Sequence, residues 1–171
     1  MVGLKYFGGV LVALTLCGVM WFNHPAKEQV KQLEGQISWH FKFANFLLRD
    51  TVLELLEWNF SQPLTDGDKV YLSKLSNEFL YITDLIFSGN VVHQEWRNRM
   101  YDIQGYLNNY EYGPSLLNED VDDLHQALRA TLFISMDFDD MVEHPQDFYD
   151  AMHDEQHEMV ERVKSRLATQ Y

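Results

Sequence analysis

Between Pro25 and Pro63 the chain contains no proline, and its apolar residues return every three or four positions. Val30, Leu33, Ile37, Phe41, Ala44, Leu48, Val52 and Leu55 therefore share one face of a helix, expected from about Lys27 to Phe60. A second set, Trp39, Phe43, Phe46 and Leu53, falls on roughly the opposite side. A helix that is apolar on two sides is either central in its bundle or shared with a partner. The central position is the simpler expectation.

The rest of the chain repeats the helical pattern. Residues 24–171 hold four prolines and five glycines, and no run alternates strictly as a half-buried strand would. A second helix is predicted to open at Thr65-Asp66-Gly67-Asp68, where a hydroxyl can cap and acids suit the positive helix end. Its apolar face reads Tyr71, Leu72, Leu75, Phe79, Ile82, Leu85 and Ile86, and Ser88-Gly89-Asn90 stops it. A third helix carries Val92, Trp96, Met100, Ile103 and Leu107, followed by a loop over 108–115. The fourth starts near Asn118 and carries Val121, Leu124, Leu128, Leu132, Met136 and Met141. The last opens at Pro145 and buries Phe148, Met152, Met159, Val163 and Leu167. The expected fold is all-α, a bundle of about five helices over residues 24–171.

Ahead of this bundle, Tyr6 to Phe22 is a run of 17 residues without a charge. As a helix it would span roughly 26 Å, close to the hydrocarbon thickness of a bilayer. His24 stands at −3 for cleavage after Ala26, and Leu16 precedes Cys17, so neither a cleavage site nor a lipidation site is well formed. Residues 1–23 are expected to form an uncleaved signal anchor in the cell membrane, with the bundle outside the cytoplasm. Gly9, Ala13 and Cys17 recur at spacings of four, a stripe on which a second membrane helix can pack. Cys17 is the sole cysteine, so residues 24–171 contain no disulfide.

The formal charge is −13, and it is unevenly spread. Residues 111–171 hold 15 acids and four bases, whereas 24–110 hold 11 acids and eight bases. An acidic surface repels phosphate backbones, which argues against nucleic-acid binding. The acidic end suits solvation or a basic partner.

His153-Asp154-Glu155-Gln156-His157 places two histidines at i and i+4, with Asp154 between them. On one continuous helix Asp150, His153, Asp154, His157 and Glu161 would form a stripe opposite the apolar face. His153, His157 and Asp154 are thus the candidate metal ligands, although the pattern matches neither HExxH nor HxxEH. Asp137-Phe138-Asp139-Asp140 lacks the spacing and glycine of a calcium loop and reads as a charged helix end. His40 and His93, in apolar segments, read as hydrogen-bonded core histidines. Trp39, Trp58 and Trp96 also read as core.

No phosphate-binding glycine loop, GxSxG serine or second cysteine is present. No cofactor and no catalytic set is expected. The reading is a non-enzymatic, single-pass membrane protein acting as a scaffold or accessory subunit. Its partner, another protein or a second copy, would meet the first bundle helix or the acidic C-terminal helices, with Trp39, Phe43, Phe46, Asp150 and Glu161 as candidate contacts. The alternative is an extracytoplasmic helical sensor for a cation, pH or a small molecule.

Overall fold

The computed structural model describes the backbone of residues 3–89, 91–113, 116–142 and 144–171, with side chains from Lys27 onward except at positions 145 and 146. All regular structure among the described residues is helical: α1 Gly3–Glu57, α2 Asp66–Ile86, α3 Gln94–Tyr112, α4 Asn118–Met141, α5 Pro145–His153 and α6 Glu158–Ala168. Two compact units divide the chain, Met1–Ile37 and Ser38–Tyr171. Among the described residues no helix is long and apolar enough to cross a membrane. The side chains of the Tyr6–Phe22 run lie outside them, as do those of Gly9, Ala13 and Cys17.

The first helix was expected from about Lys27 to Phe60; α1 instead starts at Gly3 and ends at Glu57. Proline withdraws one helical hydrogen bond, yet α1 is continuous through Pro25. Within the second unit the inner face of α1 packs as expected: Phe41, Ala44, Leu48, Val52 and Leu55 are buried. Val30, Leu33 and Ile37 share that face in sequence but precede this unit, and they are exposed.

Thr65 opens α2 with a reciprocal cap. Its hydroxyl oxygen accepts from the Asp68 N–H at 3.2 Å, and Asp68 Oδ2 accepts from the Thr65 N–H at 2.9 Å. The Thr65 hydroxyl also donates to Asp68 Oδ2 at 2.6 Å, and this bond, with the one from the Thr65 N–H, holds the Asp68 carboxyl below the usual range. Leu72, Leu75, Phe79, Ile82 and Ile86 are buried, whereas Tyr71 is exposed and donates to Glu54 Oε2 at 2.7 Å. Past the helix end, Gly89 takes a φ of 95°, the left-handed region that favours glycine.

The expected loop at 108–115 is helical as far as Tyr112. Tyr110 explains the extension: it is buried, packs edge-on against Phe60 and donates to Gln62 O at 2.5 Å. Gly113 caps α3 through its N–H, which donates to Asn109 O at 2.9 Å, and a Cβ there would collide with that carbonyl.

On α4 the buried face shifts along the helix. Val121, Leu124 and Leu128 point inward, but Met136 is exposed and Ile134, Ser135 and Phe138 take the interior positions. Two of the aspartates at 137–140 are also more than a charged helix end. Asp137 is buried against Arg166 of α6, and Asp139 is paired with Arg49 of α1.

The expected last helix is two helices. The Asp154 N–H closes α5 on Asp150 O at 2.8 Å, and the Asp154 carboxylate then accepts from the Gln156 N–H at 2.9 Å. His157 opens α6 by accepting from the Met159 N–H at its Nδ1, 3.2 Å away. Asp and His at a turn can cap backbone that a continuous helix would bond internally. Phe148 and Met152 from α5, with Met159 and Val163 from α6, still reach one core.

Candidate interaction surface

Trp39, Phe43, Phe46 and Leu53 follow one another at intervals of four, three and seven, so they line up along the back of α1. Asp50 and Glu57 continue the same line at positions set by the same three-and-four alternation. The bundle covers only the inner face of this helix. Trp39 retains 61% of its surface, Phe43 and Phe46 48% each, and Leu53 44%. Thus α1 is an edge helix with an apolar ridge outward, and the expectation of a central helix is overturned. The core is closed without that face.

The ridge is held in place from both sides. Trp39 and Phe43 stack with ring centroids 5.7 Å apart and planes 4° from parallel. The Arg49 guanidinium lies 5.5 Å above the Phe46 ring while bonding Asp139 Oδ2 at 2.6 Å. Under the ridge, buried Asn45 donates to Ser135 O at 3.0 Å and to Asp139 Oδ1 at 3.1 Å. Ser135 Oγ in turn donates to Asn45 O at 3.2 Å. These bonds join the middle of α1 to α4 in a fixed register. Such a surface can bury apolar area against a partner.

The helix break also takes apart the expected histidine stripe. His153 ends α5, where it stacks on Tyr149 at 4.2 Å and meets Phe41 edge-on at 6.0 Å. Its Nδ1–H donates to Tyr149 O at 2.8 Å. Asp154 is exposed in the turn, and His157 uses Nδ1 for the α6 cap. Asp150 and Glu161 are exposed on separate helices, and Glu161 is paired with Lys164 at 2.8 Å. Among the described residues no group of three or more His, Cys, Asp or Glu side chains is placed to hold a metal ion.

His93 behaves as the sequence suggested. It is buried, its Nε2–H donates to Ala151 O at 2.7 Å, and burial holds its pKa below the ordinary value. His40 does not: it is exposed beside Trp39. The tryptophans divide, with Trp96 in the core, Trp58 half-buried and Trp39 on the ridge. A shallow groove joins His93, Glu95 and Trp96 to Val160, Val163 and Lys164.

The chain matches no family model, no curated protein and no solved structure at a significant level.

Proposed function

We propose that this is a non-enzymatic, single-pass membrane protein whose helical domain binds another protein chain through the outer face of α1. The Tyr6–Phe22 run serves as the anchor, and the domain lies outside the cytoplasm as a scaffold or accessory subunit. One observation carries the binding reading. Three aromatic residues and a leucine stay exposed in line on a helix whose other side closes a complete core. These side chains are already about half covered, so a partner that buries the rest gains about 1 kcal/mol from each.

The test uses the full chain extracted from its native membranes in mild detergent. Wild type is expected to sediment as a complex heavier than the monomer. Trp39→Ser with Phe43→Ser should release the monomer without lowering its melting temperature. A wild-type chain that sediments as a monomer overturns the binding reading. Recovery of the full chain in the supernatant after an alkaline membrane wash overturns the anchor.

A further inference from the structure

Histidines from three elements meet at the turn between α5 and α6. His93 precedes α3, His153 ends α5 and His157 opens α6. Backbone bonds draw them together: the Val92 N–H donates to Met152 O at 3.0 Å, and His93 Nε2–H donates to Ala151 O at 2.7 Å. The Nδ1 atoms of His153 and His157 turn to different backbone groups, Tyr149 O and the Met159 N–H, and not to a shared point. Other charges surround the turn. On α6, Glu158 is exposed and Glu161 is paired with Lys164. Asp150 on α5, Asp154 and Glu155 in the turn and Glu95 on α3 are exposed. Lys42 of α1 lies over the Phe148 ring, and Asp137 of α4 is closed by Arg166.

A second proton acts differently on each ring. Histidine gains its charge between about pH 8 and 5. His153 donates through Nδ1, so a proton on Nε2 leaves its bond to Tyr149 O in place, and a cation suits the negative end of α5. Burial holds His93 neutral. His157 accepts through Nδ1. A proton there removes the α6 cap and sets a cation against the positive end of that helix.

The two ends of α6 are also held unequally. At the far end Arg166 forks onto Asp137, and Gln126 and Arg129 of α4 donate to Thr169 O at 3.0 Å and Tyr171 O at 3.3 Å. The near end has the His157 cap and buried Met159, beside the groove that parts Glu95 and Trp96 from Val160 and Lys164. The geometry points to a proton-operated latch: proton uptake by His157 frees the near end of α6, which turns on its Arg166–Asp137 attachment and uncovers Met159. The latch works through α6 alone, so it stands whether or not a partner covers α1.

Hydrogen exchange read by mass spectrometry on the full chain in mild detergent tests the latch, with times rescaled for the intrinsic pH dependence of exchange. On going from pH 7.5 to 5.5, amides in the first half of α6 should accelerate about tenfold relative to those of α2. His157→Asn keeps a capping oxygen that does not titrate, and should hold that ratio within about twofold. His157→Ala lacks the cap at both pH values, and should show the fast α6 exchange already at pH 7.5. Equal acceleration of α2 and α6 in wild type overturns the latch, as does a His157→Asn chain that opens with acid as wild type does.

Discussion

Arg166 grips Asp137 through two nitrogens of its guanidinium, Nε to Oδ2 at 2.6 Å and Nη2 to Oδ1 at 2.8 Å. Asp137 is buried and Arg166 about two-thirds covered, so this fork ties α6 to α4 across the lower core. The same guanidinium lies 5.1 Å above the Phe133 ring, which stacks on Tyr171.

Removing the cation strands the anion. Arg166→Ala should destabilise the domain by about 2 kcal/mol, seen as a fall of roughly 6 °C in melting temperature. Adding Asp137→Asn to Arg166→Ala should recover part of that loss, because the buried charge has gone. Equal melting temperatures for wild type and Arg166→Ala would show that the fork contributes nothing.

Asn45 is the second polar tie, and its neighbours dictate which substitution is worse. Asn45→Ala deletes the bonds to Ser135 O and Asp139, and should cost about 1–2 kcal/mol in urea unfolding. Asn45→Asp is nearly isosteric but sets a carboxylate against Asp139, so at pH 7 it should cost more than alanine. The reverse order would mean that Asp139 does not face this position.

Much of this was legible in sequence, and the failures share a cause. The inner face of α1, the Thr65 cap, the start of α4 and the core of α2 all follow from local spacing, which a helix obeys wherever it lies. The break at Asp154–His157 depends on side chains competing for backbone N–H groups, and periodicity does not register that competition. Tyr110 prolongs α3 through bonds to the carbonyls of residues 59 and 62, about fifty positions earlier in the chain. The two apolar faces of α1 are visible as a pattern. Which of them meets the bundle depends on how many helices there are to cover it.

Acidification should loosen the fold. Burial, its largest cause, pushes the His93 pKa down, with His157 and His153 adding to the shift; burial also lowers His125, with Arg129 adding. Each therefore stays neutral in the folded chain while the unfolded chain takes up a proton near pH 6.5. Stability is complete above that pH and falls as pH drops below it. The melting temperature at pH 5.5 should lie below that at pH 7.5, and His93→Gln should narrow the gap. An unchanged or higher value at pH 5.5 would contradict the burial of these rings.

If the back of α1 is the proposed contact surface, site-specific photo-cross-linking in native membranes will capture what covers it. A photoreactive residue in place of Phe43 should give a discrete covalent adduct to a protein chain, and one in place of exposed Lys74 on α2 should not. No adduct from position 43, or equal labelling from both positions, would show that the back of α1 is not the contact surface.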